Sequence, residues 1–418
     1  MSAVATQPDW LTALRDAGRA RFGEAGLPTQ RQEIWKYTGL NKLKALTFEP
    51  SADIAGTAPA IEPLIDAAHR LTFVNGRFDA ARSRIGALPG NAILASLAEI
   101  LRDRPNLLEG RMGVTAAIDR RPMAALNTAW IEDGLVLIVP RGVAVEGVIE
   151  AVFVNTGEAP VAHPRLLVAL GDMAEVVLVE RHLGGGGGGF TNQVAEIALG
   201  DGASFRHYVH HAEPTISTAL ETVTVTVGRD ASYRSFGLAA GGGLVRREIE
   251  VVLRQPGGFA QVDGAYLVDG ERHADTTVLI DHQADHCASR QTHKGVIDDD
   301  GRAVYQGKIL VRPHAQKTDG YQLSQTLLLS GGAEADVKPE LEIHADDVKC
   351  SHGATVGRLD ADALFFLRAR GIPEAEARAL LIQGFIGGAL DEIDRPDVRE
   401  AFGAAASNWL TAHSESTA

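Results

Sequence analysis

The residues best equipped for chemistry lie in the last third of the chain. Lys349-Cys350-Ser351-His352 places a thiol two residues before an imidazole. On an extended strand, side chains at i and i+2 project to the same face. Thiolate and imidazole together suit iron, zinc or copper. Two ligands do not complete a metal site, so partner ligands would have to come from elsewhere in the fold or from another chain. Cys287 is the only other cysteine. Two cysteines do not make a secreted disulfide framework, and a reducing cytoplasm is the expected compartment.

Histidines gather in the same region. His282, His286, His293 and His314 are expected near the corners between strands, solvated or hydrogen-bonded to turns. Asp298-Asp299-Asp300-Gly301 has calcium-loop residue types, but the rest of an EF-hand loop is missing. A plain turn is the stronger reading. The chain contains no Gly-x-x-x-x-Gly-Lys-Ser/Thr loop, no Gly-x-Ser-x-Gly elbow, no His-Glu-x-x-His and no Cys-x-x-Cys. It therefore carries no recognisable nucleotide engine or zinc motif.

Composition narrows the classes further. The 418 residues are 45% apolar and 22% charged, ordinary for a protein with a real core. At roughly 150 residues per domain, two or three domains fit. The balance of 40 basic against 54 acidic residues, net -14, argues against nucleic acid as the main partner. No apolar run approaches the roughly 20 residues of a membrane helix. Residues 1–12 lack the basic and apolar regions of a secretory signal. Glycine is abundant, at 45, and aromatics are only 6%, which suits an all-β repeat with many tight turns.

The elements that would hold the thiol and imidazole follow from periodicity. Trp10, Leu11, Leu14, Ala17 and Phe22 recur at helical spacing. Arg31–Tyr37 and Ala92–Leu101 are further helical segments, and residues 47–75 read as loops and isolated strands. From Gly134 the period changes to 2. Strands are expected over residues 135–139, 148–154, 166–170, 176–179, 223–227, 248–253, 276–280 and 308–311, with no helix of normal length before about Asp360. Turn-plus-alanine segments recur at Ala174, Ala203 and Ala231, and more weakly at Ala260, Ala288, Ala315 and Ala345. The steps are 29, 28, 29, 28, 27 and 30. So even a spacing predicts stacked coils of about 28 residues, or a half-coil unit repeated twice per coil. Gly184–Gly189 breaks the pattern and reads as a flexible loop leaving the stack.

Helical periodicity returns after Gly357. Asp360 is a fitting N-cap for Ala361–Arg370, Gly371 a stop and Pro373 the first turn of the next helix. A last helix spans Val398–Leu410. The organisation is a mostly helical region 1–133, a β-helix core 134–358 and a helical region 359–418. Leu380, Leu381, Phe385 and Ile386 form an apolar stripe that either packs on this chain or docks another subunit.

The run Asp346-Asp347-Val348-Lys349-Cys350-Ser351-His352-Gly353-Ala354-Thr355-Val356-Gly357 resembles the SufB/SufD family of the SUF iron–sulfur cluster assembly system, in its D-type branch. So do Gly307-Lys308-Ile309, Ala315-Gln316-Lys317-Thr318-Asp319, Lys338-Pro339-Glu340-Leu341-Glu342-Ile343 and Leu364-Phe365-Phe366-Leu367-Arg368-Ala369-Arg370-Gly371-Ile372. Gly26-Leu27-Pro28-Thr29 and Glu33-x-Trp35-Lys36-Tyr37-Thr38 extend the likeness toward the N-terminus.

The resemblance implies a mainly β fold: a right-handed parallel β-helix flanked by N- and C-terminal helical regions. It implies a non-catalytic scaffold that pairs with SufB through the β-helix and docks the ATPase SufC through the C-terminal helices. Leu380, Leu381, Phe385 and Ile386 would belong to that docking region. His352 would face the SufB interface and help form the nascent cluster, with Cys350 its neighbour. SufB-like chains carry a cysteine where this one has Ile343, which places the chain on the D side. The chain cannot supply the thiolates of a four-cysteine cluster alone, which favours a shared site. No cofactor is expected to stay bound to the isolated chain; an iron–sulfur cluster would form transiently in the complex. A homodimer of the isolated chain is compatible with paralogy to its partner. A β-helix enzyme acting on a sugar polymer, or an adaptor that never touches iron, are the other readings.

Overall fold

The computed structural model describes residues 8–51 and 60–416. In the middle of the chain the apolar residues run almost continuously, because both strand faces are covered. On the strand Glu175–Gly185, Val176 and Leu178 join the interior core. Val177 and Val179 pack instead with residues of the C-terminal helices. Continuous apolar runs of this kind mark parallel sheets buried on both sides.

The strands in chain order are β1 (His69–Val74), β2 (Arg77–Phe78), β3 (Ile93–Ser96), β4 (Gly134–Val139), β5 (Ile149–Thr156), β6 (Val161–Ala162), β7 (Arg165–Leu170), β8 (Glu175–Gly185), β9 (Gly189–Leu199) and β10 (Ser204–Ala212). They continue as β11 (Ser217–Val227), β12 (Ser232–Ala239), β13 (Leu244–Leu253), β14 (Phe259–Val268), β15 (His273–His282), β16 (Ala288–Ile297), β17 (Arg302–Val311), β18 (Asp319–Leu328), β19 (Glu334–Ile343) and β20 (Lys349–Gly357). From β7 onward, successive strands alternate between two sheets. The first runs β2-β1-β5-β8-β10-β12-β14-β16-β18-β20, the second β19-β17-β15-β13-β11-β9-β7-β4-β3 with β6 beside β9. All pairings are parallel except β1–β2 and β3–β4. This is a two-sheet parallel β-solenoid with one strand of each sheet per coil.

One backbone ladder records the coil period. Ser204 N donates to Ala174 O, Ser232 N to Ala203 O, Phe259 N to Ala231 O, Ala288 N to Gly258 O, Asp319 N to Cys287 O and Lys349 N to Thr318 O. Ala174, Ala203 and Ala231 thus share one column, as the repeat predicted. Beyond them the column is Gly258, Cys287 and Thr318. Ala260 and Ala288 lie within strands instead, and Ala315 and Ala345 pack in turns beside Ile309 and Val311. Unequal turn lengths move the alanines off the column while the coils stay stacked.

Three local expectations change. Gly184–Gly189 does not leave the stack; it is the bend joining β8 to β9. A Cβ on Gly187 would lie 1.9 Å from Gly157 O, so glycine is what lets adjacent coils turn this closely. Ala92–Leu101 is not one helix. Ile93, Leu94 and Ala95 pair with β4, and Ser96 Oγ accepts from Glu99 N at 3.2 Å, starting the helix α2 (Leu97–Asp103) as a Ser-x-x-Glu cap. Arg31–Tyr37 shortens to a 3-10 turn over Glu33–Trp35.

Helices cover the outer faces. α1 (Asp9–Ala25) crosses α3 (Pro122–Ala129) at Gly18, where a Cβ would lie 2.6 Å from Ala129 N. α3 is buried along its length, and Met123 and Leu126 pack with Phe190 and Leu220 of the second sheet. Fully buried Arg165 ties this cover to the solenoid. It pairs with Glu196 at 2.5 Å and donates to Asn127 Oδ1 of α3 at 2.9 Å. Glu196 also accepts from the backbone of Gly113 and Thr115. α4 (Ala361–Arg368) packs against α5 (Glu374–Leu390), while α5 and α6 (Pro396–Ser416) lie on the first sheet. Asp360 caps α4 through Asp362 N and Ala363 N, and Gly371 takes the left-handed conformation at φ 83°. Among the described residues no helix is long and apolar enough to cross a membrane.

Candidate functional site

The solenoid ends differ. At the N-terminal end, β2 and β3 fold back antiparallel on β1 and β4. Together with α2 they close the stack, so the strands of this end come from the sequence before Gly134. At the other end, among the described residues, β19 pairs only with β17 and β20 only with β18. Lys349 N donates to Thr318 O at 2.8 Å. Bonds of a parallel ladder alternate along the strand, so the N–H and C=O groups of Cys350, His352, Ala354 and Val356 lie on the bare edge.

Register fixes where the thiol and imidazole stand. Cys350 is beside Gly320, and His352 beside the fully buried Gln322. A Cβ on Gly320 would lie 3.3 Å from both Cys350 Sγ and Ile309 Cδ1, which places the sulfur inside the coil. Cys350 and His352 therefore share the inward face of the last strand. Cys350 is half-buried and packs near Ile309 and Leu341. Burial pushes its thiol up against a weaker opposing pull from the Gly320 backbone, so it is no poised thiolate. His352 is exposed, and among the described residues no hydrogen bond holds its ring. A shallow cavity of about 410 Å³ is lined by Arg290, Asp319, Tyr321, Lys349, Cys350 and Ser351; His352 is outside it. Across the rim, Ile343 ends β19 and is 39% exposed. Glu342 beside it bonds Lys308 Nζ at 2.6 Å and His344 Nε2 at 2.9 Å. The Lys308 hydrogen bond is the main force holding its carboxyl down to about 2.

The other histidines divide. His286 and His314 are exposed in turns. His282 is buried at the end of β15, 2.9 Å from Ser289 Oγ. His293 is not at a corner: it is buried in mid-β16 against the Tyr305 ring, with centroids 4.5 Å apart. Asp298–Gly301 is a turn, closed by Gly301 N donating to Asp298 O at 3.0 Å. Cys287 fills the small-residue column, its Sγ 3.3 Å from Gln255 O, and burial pushes its thiol up.

The apolar stripe of α5 splits by orientation. Ile386 is 2% exposed and packs with Ile382, Ala389 and Phe402 on the first sheet, so it belongs to the core and offers no docking surface. Leu381 and Phe385 are part-buried, with Lys294 Nζ 5.0 Å from the Phe385 ring centroid. Leu380 is exposed, and so are Phe365 and Phe366 of α4. Sequence reasoning did not single out these two aromatics as surface residues. The available signal was their adjacency on a one-sided helix, where neighbours cannot both face the core.

Fold and rim together define a helix-flanked, two-sheet parallel β-solenoid whose imidazole-bearing end is left unpaired among the described residues. Residues 153–385 match the family model described as SUF system FeS cluster assembly, SufBD core domain, and residues 3–151 match the SufBD protein N-terminal region. The chain belongs to the SufBD family of iron–sulfur cluster assembly proteins. It is 31% identical over 409 residues to a SufBD family iron–sulfur cluster assembly protein of Synechocystis, covering 93% of this chain and 88% of that one. It is 31% identical over 370 residues to the iron–sulfur cluster assembly protein SufD of Escherichia coli, covering 86% and 84%. Against SufD of Bacillus subtilis the identity is 25% over 406 residues, covering 94% and 92%.

Proposed function

We propose that this chain is the non-catalytic D-type subunit of a cytoplasmic SufBCD complex, and that its open rim is completed by a SufB-like paralogue. The observation that carries this is the bare edge of β20 beside an unbonded His352. Free strand edges are templates for another chain, and an exposed imidazole is a ready ligand for iron. Iron and sulfide are cargo here, assembled between two chains. His352 supplies one ligand, and the remaining ligands come from the partner. Cys350, half-buried and protonated, lies beside this seam as a secondary candidate. The exposed face of α4 and α5, with Phe365, Phe366, Leu380, Leu381 and Phe385, docks the SufC-like ATPase, which carries all nucleotide hydrolysis.

The test is iron and sulfide loading of the purified three-protein complex with His352→Ala. Loading should fall several-fold while the complex stays assembled. Unchanged loading would support the adaptor reading instead, in which the chain positions its partners and never touches iron. The half-burial of Cys350 inside the coil, which pushes its thiol up, favours that second reading.

A further inference from the structure

The solenoid interior has two halves. One is apolar from end to end. The other is polar, and its densest part lies between β8, β10 and β11. There His182, His211 and Glu221 each bring one donor atom to within 4.8 Å of the other two. His182 Nε2 stands 3.8 Å from Glu221 Oε1, and the two imidazoles are stacked with centroids 4.5 Å apart. All three side chains are at least 96% buried: their exposures are 4%, 1% and 2%.

Two features point to a ligand-binding role. His182 Nε2 and His211 Nε2 are buried without any hydrogen-bond partner, a state natural interiors avoid. His211 Nδ1 meanwhile donates to Glu213 Oε1 at 2.9 Å. A carboxylate on one ring nitrogen fixes the tautomer that leaves the other nitrogen's lone pair free, as in carboxylate–histidine–metal arrangements.

Charge gives the second argument. Glu180, Glu213 and Glu221 are buried here, and Arg247 is the guanidinium that faces them, 2.5 Å from Glu221 Oε2. Among the described residues the remaining basic groups are imidazoles: His207 on Glu180, His211 on Glu213, and His182 with its Nε2 3.6 Å from Glu180 Oε2. Three carboxylates against one fixed cation leave two negative charges, to be met by protonated imidazoles or by a bound cation. Uncompensated buried charge is strongly disfavoured. One divalent cation meets it without protonating either free imidazole nitrogen.

We propose that the interior binds a divalent transition-metal ion through His182, His211 and Glu221, with Glu213 positioning His211. Imidazole with carboxylate suits zinc or iron(II). A tetrahedral ion with bonds near 2.1 Å holds its donors roughly 3.4 Å apart, so the three side chains need to close by about an ångström. The site is distinct from the rim, because both histidines sit on β8 and β10 in mid-stack. It also departs from the expectation of a chain without a metal of its own.

The experiment uses the full chain, produced without a histidine tag in zinc- or cobalt(II)-supplemented medium and desalted. Metal is counted by mass spectrometry. About one ion per chain is expected, with imidazole scattering in the X-ray absorption of the bound cobalt. His182→Asn combined with His211→Asn should reduce the ion to background. Glu213→Gln should weaken binding roughly 10- to 100-fold, and His352→Ala should leave the ion in place. A wild-type chain free of metal after supplementation overturns the proposal, and so does full retention in the double variant. If the double variant does not fold, the absorption spectrum decides: sulfur ligation, or no imidazole shell, overturns it.

Discussion

His352 is exposed because the stack stops above it, not because its strand points outward. Gln322, one rung below at the same register, is fully buried. Removing the His352 ring therefore costs little stability. His352→Ala should shift unfolding by less than about 0.5 kcal/mol, as for other surface substitutions, measured by thermal melting beside the loading assay. Interior histidines set the pH response instead. Burial pushes His163, His273 and His282 down to about 4, and His210 and His293 to about 3. Below the ordinary histidine value near 6.5, the unfolded chain takes up protons that these rings refuse. Their stabilising effect is full above about pH 6.5 and is lost as pH falls toward 4. Asp263 opposes them: burial lifts its carboxyl to about 8, so it favours the fold at low pH and loses that effect as pH rises through 8. The melting temperature should peak near pH 6.5 and fall on both sides, more steeply toward acid. A flat profile from pH 4.5 to 8 would contradict this.

α5 shows at the level of an element what its stripe of leucines and isoleucines conceals. Ile386→Ala removes a fully packed side chain and should cost about 2–5 kcal/mol, whereas Leu380→Ala should cost under about 0.5 kcal/mol; chemical denaturation separates the two. Charged substitutions at Phe365 or Leu380 should abolish ATPase co-purification without unfolding the chain, and intact co-purification would remove this face from the docking surface. Such differences were only partly legible beforehand. Strand periodicity after Gly134 was plain, because Val and Leu alternate or run unbroken where two faces are covered. The coil length was readable from Ala174, Ala203 and Ala231, but the later alanines matched it by coincidence of spacing. Ile386 looked like Leu380 because periodicity finds an apolar face without saying how wide the covering layer is. The bend at Gly184–Gly189 reads as a free loop in the sequence because glycine signals both freedom and close approach, and only the neighbouring coil decides which. Cys350 and His352 were visible as a pair through their spacing and family likeness. His182, His211 and Glu221 were not, since a polar side chain at an inward position breaks the hydrophobic pattern that defines inward.

Across the whole molecule, two layers of helices clamp two sheets, and buried ion pairs join them. Arg165→Ala would strand Glu196 inside, and the loss of a partner from a buried pair costs about 3–5 kcal/mol. Its effect should appear as early loss of protection from hydrogen exchange in α3 and in residues 113–116, before the central coils open. The far end behaves differently. Ala354 has its N–H on the free edge, so Ala354→Pro should leave the β18–β20 ladder formed yet prevent strand pairing with a second chain. Size-exclusion chromatography with the SufB-like partner would then show separate proteins; a normal heterodimer would place the interface elsewhere. One coil adds roughly 4.8 Å to the first sheet's length, so the eight steps from β1 to β20 set closed and bare ends roughly 38 Å apart. A solenoid closed at one end and bare at the other exposes adhesive backbone in every surplus copy, so if a partner covers that end, balanced production of the two chains would keep the unpaired form scarce.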